Sequence, residues 1–339
     1  MPNRDIIVIG GSAGAPAALL DMVGALPSDF AGSVFIVTHI PIHGAALLAG
    51  LLAVRTDLPV AYAQDGDEIE PGRILVAPAD RHLMLTPVGV RLGLGARENH
   101  ARPSIDVLFR SAAMAFNGRV IGVVLTGMLS DGAAGLCAIK ACGGVTVVQD
   151  PASAFAPDMP RAAIAAADPD HIVALDEIIP LVVNLSKEEA PMGWPPSPQM
   201  RIELETAAGF PLGSARMMEL GLPSPITCPE CSGVLSQIKA EGPLRYRCQI
   251  GHAYNADIVD EQQTVALESA LAVALRIIEE RITLVRRLRE DAETNGNTPA
   301  AELHQARGEA FQAQAEILRR GVAAAIHRRD DQQDVSPAT

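Results

Sequence analysis

Aromatic residues are scarce in this chain. Seven Phe, three Tyr and one Trp make up 3% of its 339 residues, although 48% of the chain is hydrophobic. The apolar mass is therefore Ala, Val, Leu and Ile, the material of sheets covered by helices. Positive charge is also short: 27 Lys and Arg stand against 40 Asp and Glu, a net charge of −13. That balance argues against a nucleic-acid binder, which carries a basic footprint. No run of eighteen apolar residues occurs, so no membrane span is expected. The first five residues lead straight into Ile6-Ile7-Val8-Ile9 without the cleavage site of a signal peptide, and the expected location is cytoplasmic. The five cysteines are an odd count, and their spacing fits metal binding better than a disulfide framework.

What is present is alternation. Short β-branched runs bounded by Gly, Pro and Asp fall at 6–9, 34–38, 60–63, 74–77, 120–125, 145–149 and 172–174. Helical stretches fit between several of them, at 15–26, 45–54, 104–116, 132–142 and 159–167, with Ser104 as an N-cap. This pattern predicts an α/β domain over residues 1–186, a doubly wound, mainly parallel sheet flanked by helices. The stretch 81–94 adds a local hairpin around Pro87-Val88-Gly89. A Pro-rich linker is expected over 187–225, because Ala190-Pro191-Met192-Gly193-Trp194-Pro195-Pro196-Ser197-Pro198 cannot continue a helix or a central strand.

A cysteine segment, 226–256, comes next, and then an α-helical hairpin over 257–329. Leu271, Leu275, Ile278, Ile282 and Val285 alternate four and three apart, a coiled-coil seam. Thr298-Pro299 restarts a second helix as N-cap and N1, with Leu303, Ala310 and Ile317 at spacing seven. Such a hairpin suits docking or self-association. The tail, 330–339, is expected to be disordered.

Three residues stand just past expected strand ends: Ser12, His39 and Asp131. Parallel strands deliver their C-terminal ends to one edge, where ligands bind in open α/β folds. A serine, a histidine and an aspartate there supply a nucleophile, a base and the acid that orients it. Gly10-Gly11-Ser12-Ala13-Gly14 fits Gly-x-Ser-x-Gly, a tight turn from strand into helix. The competing reading, a phosphate-cradling turn, needs Gly at i, i+2 and i+5, and Ser12 breaks that pattern. Each residue has a plainer reading alone, His39 as a structural histidine and Asp131 as a helix N-cap. Their shared edge raises all three. Arg97, His100 and Arg102 form a basic cluster on an acidic chain, either ordinary surface charge or a contact for an acidic substrate.

Five segments in order then carry a resemblance. They are Ile9-Gly10-Gly11-Ser12-Ala13-Gly14, Thr38-His39-Ile40-Pro41, Ile-Leu-Val-Ala-Pro-Ala-Asp-Arg-His at 74–82, Arg-Pro-Ser-Ile-Asp-Val-Leu-Phe at 102–109, and Val-Leu-Thr-Gly-Met-Leu-Ser-Asp-Gly-Ala-Ala-Gly at 124–135. Residues 5–186 resemble the catalytic domain of the chemotaxis protein-glutamate methylesterase (CheB-like) family. The resemblance implies Ser12 as nucleophile, His39 as general base and Asp131 as its orienting acid. It also implies Ala13 and Met128 as backbone oxyanion donors and no cofactor for catalysis. The implied substrate is a γ-glutamyl methyl ester on a methylated chemoreceptor, with glutamine deamidation in some members. The chain departs from the family pattern at Ala15 and Leu129, where many members have glycine. No phosphorylatable receiver precedes the first strand, so control by a receiver of its own is not expected. A non-catalytic signalling scaffold and a small-molecule esterase or amidase are the alternatives.

Cys228-x2-Cys231 and Cys248-x3-His252, sixteen residues apart, match a structural Zn²⁺ site in a zinc-ribbon-like module. So small a segment needs such a staple. The same residues resemble a tail appended to receiver-less esterases of the family.

Overall fold

The computed structural model describes residues 2–39, 42–239 and 242–334. The chain divides into two compact units, Met1–Val259 and Asp260–Thr339. The first unit opens with strands β1 (Ile6–Gly11), β2 (Ser33–Thr38), β3 (Val60–Tyr62) and β4 (Ile74–Val76). An antiparallel hairpin, β5 (His82–Thr86) with β6 (Gly89–Gly93), follows where one was expected. Strands β7 (Val120–Val124), β8 (Val145–Gln149) and β9 (His171–Val173) complete a seven-stranded sheet in the order β3-β4-β2-β1-β7-β8-β9. All six of its pairings are parallel. The order reverses at β1, which lies between β2 and β7, so the crevice at its C-terminal end is the topological switch point.

Helices α1 (Ala15–Gly24), α2 (Ile42–Ala53), α3 (Ile105–Phe116), α4 (Ala133–Ala141), α5 (Asp158–Ala167) and α6 (Leu175–Leu185) cover both faces. β1 shows why. Ile7 and Ile9 join one core with Leu19, Leu52 and Ile178 from α1, α2 and α6. Ile6 and Val8 join the other with Ile105, Leu136 and Met159 from α3, α4 and α5. A strand buried on both sides reads as an unbroken apolar run. The helix α6 had no counterpart in the sequence reading.

The stretch expected as a linker is built differently. It carries α7 (Pro198–Ala208) and α8 (Gly213–Leu220), and strand β10 (Gly221–Thr227) begins in it. Ser197 caps α7 by accepting from the Met200 N–H, and Pro198 sits at the first turn, where proline costs no hydrogen bond. Met200, Leu204 and Ala207 of α7 enter the α3 side of the core. The prolines thus set a helix start instead of forbidding one.

The cysteine segment forms a second sheet in the order β10-β11-β12-β13, with β11 (Val234–Ile238), β12 (Arg245–Cys248) and β13 (Ala253–Asn255), all antiparallel. Its core is small: Cys228, Leu235, Tyr246, Cys248, Tyr254, Ile258 and Val259.

Helix α9 (Ala256–Thr294) runs on into the second unit, where it pairs with α10 (Thr298–Asp334). Arg319 meets Glu279 at 3.1 Å and Arg281 lies over the Phe311 ring, which makes the pair antiparallel. The α9 seam ends in buried Val285, as spaced. The α10 seam is one face away from the expected one: Ala301 and Ala315 are buried, while Leu303 and Ile317 are exposed. The cap is Asn297, whose side chain accepts from the Ala300 N–H, and not Thr298. Helix α10 extends into the expected tail as far as Asp334, and residues 335–339 lie outside the described residues. Among the described residues no helix is long and apolar enough to cross a membrane.

Candidate active site

Ser12 stands one residue past β1. The parallel register pairs Gly11 with Thr38, so Ser12 and His39 follow as neighbours. The His39 N–H donates to the Gly11 carbonyl at 3.3 Å. On the other side the turn after β7 closes on the serine. The Ser12 N–H donates to the Thr126 carbonyl at 2.9 Å, and a Cβ placed on Gly127 would lie 3.0 Å from the Ser12 Cβ. Gly14 holds φ at +80° with Phe155 against it, so a residue with a side chain would be strained and would clash there. That glycine permits the sharp turn from β1 into α1.

His39 Nε2 lies 2.8 Å from Asp131 Oδ2. With Nε2 committed, Nδ1 is the ring nitrogen left for a second partner. Asp131 is 2% exposed and densely hydrogen-bonded. Its Oδ2 also accepts from the Ile105 N–H at 2.7 Å. Its Oδ1 accepts from the Ser104 hydroxyl at 2.9 Å, the Asn99 amide at 3.0 Å and the Asp106 N–H at 3.2 Å. Ile105 and Asp106 begin α3, whose N-terminal N–H groups and dipole favour an anion. Burial by itself would raise this carboxyl. The hydrogen bonds from His39, Asn99 and Ile105 outweigh it and hold Asp131 down at about 2. Asp131 is therefore a fixed anion at neutral pH, which is what orienting a histidine requires.

The arrangement is reciprocal. Asp106, in the first turn of α3, accepts from the Gly132 N–H at 3.0 Å and the Gly135 N–H at 2.6 Å, at the start of α4. Each carboxylate caps the other's helix. Burial, and then the charge of Asp131, pushes the Asp106 carboxyl up to about 7. The Asn99 amide donates to both, at 3.0 Å each. Ser104, expected to cap α3, makes no side-chain cap bond there, because its hydroxyl turns to Asp131. Asp131 in turn caps α3 and not its own helix.

The profile described as CheB methylesterase matches residues 7–182. This chain belongs to the CheB methylesterase family. A protein-glutamate methylesterase/protein-glutamine glutaminase 2 of Anaeromyxobacter dehalogenans is 42% identical over 174 residues, 51% of this chain and 51% of its own. A protein-glutamate methylesterase/protein-glutamine glutaminase 3 of Burkholderia orbicola is 43% identical over 180 residues, 52% of this chain and 53% of its own. The chain spans about half the length of these curated relatives. The crystal structure of the Thermotoga maritima CheB methylesterase catalytic domain superposes with a TM-score of 0.52 at 31% identity, covering 53% of this chain and 98% of that one.

The remaining expected site residues of this CheB-family chain divide. The Ala13 carbonyl accepts from the Thr126 hydroxyl at 2.9 Å, which braces the serine turn. The Gly127 N–H is taken by the Ala156 carbonyl, so the Met128 N–H is the next donor of that turn. Arg97, His100 and Arg102 do not form a free basic patch. Arg102 binds Asp80 at 2.7 Å and the Gly95 carbonyl at 2.8 Å. His100 binds Glu230 at 3.1 Å and packs on the Tyr254 ring. Arg97 is exposed.

Cys228, Cys231, Cys248 and His252 converge, with all four donor atoms within 4.8 Å of one another. Cys231 and Cys248 Sγ are 3.6 Å apart, and His252 Nδ1 lies 3.5 Å from Cys248 Sγ and 3.7 Å from Cys228 Sγ. Tetrahedral Zn–S bonds set edges of about 3.8 Å, so the donor set fits zinc. Glu230 Oε2 lies 3.1 Å from His252 Nε2 and so directs Nδ1 toward the thiols.

The sequence reading missed a buried charge network. Glu98 pairs with Arg110 and, at 2.7 Å, with Arg247. Glu203 on α7 pairs with Arg245 at 2.7 Å and Arg247 at 3.2 Å. Arg247 is fully buried, and the others are 2–8% exposed. The network ties α3 and α7 to β12. It also missed Asn99, which holds φ at +52°, a conformation that asparagine tolerates better than most residues.

Proposed function

We propose that this chain is a protein-glutamate methylesterase with Ser12 as nucleophile, His39 as general base and Asp131 as the acid that orients it. The observation that carries the reading is the 2.8 Å contact of His39 Nε2 with a buried, N–H-bound Asp131, beside the Ser12 turn. The substrate is a γ-glutamyl methyl ester on a methylated chemoreceptor. Ser12 Oγ attacks the ester carbonyl while His39 takes its proton. The oxyanion is met by the N–H groups of Ala13 and Met128. His39 then protonates the leaving methanol, and water repeats the sequence on the acyl-enzyme. Glutamine deamidation, in the relatives' names, is the same transfer with ammonia leaving. A scaffold would have no use for a histidine clamped by an anion at the mouth of a sheet, and this argues against the non-catalytic reading.

The donor set supports a structural Zn²⁺ held by Cys228, Cys231, Cys248 and His252. Its chemistry there is that of a staple, joining the β10–β11 turn to the β12–β13 turn. Native mass spectrometry of the full chain is expected to find one zinc, lost in Cys231→Ser. Exposed Leu303 and Ile317 support self-association through the helical hairpin.

The deciding experiment is methanol release from a methylated chemoreceptor by the wild type and Ser12→Ala. Release is expected from the wild type and a loss of several orders of magnitude in the variant. A folded, zinc-loaded wild type that releases none defeats the reading.

A further inference from the structure

The last strand of the cysteine module reaches the triad. The Asn99 N–H donates to the Ala253 carbonyl at 2.8 Å, and the Ala253 N–H donates to the Arg97 carbonyl at 3.3 Å, so residues 97–99 run beside β13. The Asn255 N–H donates to Asn99 Oδ1 at 2.9 Å. The Asn255 side-chain amide donates to the Ser130 carbonyl at 2.9 Å and the Ser130 hydroxyl at 3.0 Å. Asn255, Asn99 and Ser130 are all buried, at 2%, 8% and 5% exposure. Ser130 precedes Asp131 in the chain, and Asn99 donates to the Asp131 carboxylate. The module therefore grips Asp131 from two sides, through the peptide before it and through the amide beside it.

We propose that Asn255 and Asn99 are positioning residues for the triad, through which the cysteine module fixes Asp131 toward His39. The inference rests on the serine-hydrolase reading above. The physical need is specific. Two buried carboxyl groups, Asp106 and Asp131, share one pocket, and the Asn99 amide stands between them donating to both. Its carbonyl end must face away, and the Asn255 N–H holds it there. Without that hold the amide is free to turn its oxygen toward the carboxylates, which repels Asp131 from its position. The turn that contains His252 joins β12, which ends at Cys248, to β13, so Asn255 is set three residues beyond a ligand of the candidate zinc site.

The test uses the full chain and a fluorophosphonate probe. The Ser12 Oγ–P bond forms, the P–F bond breaks, fluoride leaves, and His39 takes the serine proton. The rate is read per labelled site, so loss of folded protein changes the end-point and not the rate. Asn255→Ala removes the two side-chain hydrogen bonds to Ser130, keeps the main-chain N–H bond to Asn99, and is expected to slow labelling about tenfold. Asn255→Ser, which keeps one donor, is expected to recover part of it. Asn99→Asp, of the same shape, places an oxygen against both carboxylates. It is expected to slow labelling about a hundredfold. It also moves the acid limb of the rate–pH profile to higher pH, because added negative charge holds the proton on His39. A purely structural role would lower the end-point and leave rate and profile alone. Variants that match a reactive wild type in both would overturn the inference. An unreactive wild-type Ser12 is a different result, and would remove the functional reading and this inference together.

Discussion

Two buried charge clusters lie close together in the first unit and are built on opposite principles. Around Asp131 the excess is negative, and two carboxyl groups are satisfied mainly by neutral donors: the N–H groups of Ile105, Asp106, Gly132 and Gly135 and the amide of Asn99. Around Glu98 and Glu203 each carboxylate faces guanidinium groups, from Arg110, Arg245 and Arg247. Ion pairing holds Glu203 well below the usual carboxylate range against the burial that would raise it, and Glu98 likewise. Carboxylates matched by arginines keep their charge at every working pH and behave as fixed joints. Of the two carboxylates matched by N–H groups, Asp131 also keeps its charge, whereas Asp106 is pushed up to about 7 and keeps a choice of protonation.

The two clusters differ most in what a substitution at Asp131 does. Asp131→Asn keeps the size and removes the anion that His39 leans on. Methanol release is expected to fall roughly 10⁴-fold, the loss seen when a triad acid becomes an amide. In the arginine cluster the cost should appear as stability. Arg247→Met strips both Glu98 and Glu203, each 2% exposed, of a partner. A buried pair broken on one side typically costs about 3–5 kcal/mol. A fall in the thermal midpoint is expected, with turnover per folded molecule reduced far less than by Asp131→Asn. Equal losses of turnover in the two variants would erase the distinction.

The two clusters also differ in how far the sequence disclosed them. Ser12, His39 and Asp131 were legible because each follows an apolar run, and parallel strands carry such ends to one edge. The central strands were legible for the same reason, since full burial on two faces leaves unbroken apolar runs such as 6–9 and 34–37. The arginine cluster was not. Arg245-Tyr246-Arg247 alternates like an exposed edge strand, and Glu203 lies in a helix that followed a proline-rich stretch. Their burial depends on packing between distant segments, which no local period records. Asn99 and Asn255 are hidden for the same cause, being 156 residues apart in the chain and hydrogen-bonded in the fold. The α10 seam differs from the expected one because Leu303, Ala310 and Ile317 keep spacing seven as faithfully as the face that carries buried Ala301 and Ala315.

The carboxylates also differ in how pH acts on stability through them. An unfolded aspartate titrates near 3.8, whereas folded Asp106 is pushed up to about 7. Between those values the folded chain holds a proton that the unfolded chain has released. Stability from this group therefore falls as pH rises from about 4 to about 7. Asp131 works the other way. Its carboxyl is held down at about 2, so its contribution is complete above the ordinary value and is lost as pH falls from about 4 toward 2. Glu98 and Glu203, both held low by arginines, add to that acid limb alone. Asp106→Asn removes one limb and keeps the other. The difference between wild-type and variant thermal midpoints is expected to slope between pH 4 and 7 and to flatten below it. A difference that is flat across the whole range would mean that Asp106 stays ionised in the fold, and that N–H groups alone hold two adjacent carboxylates charged.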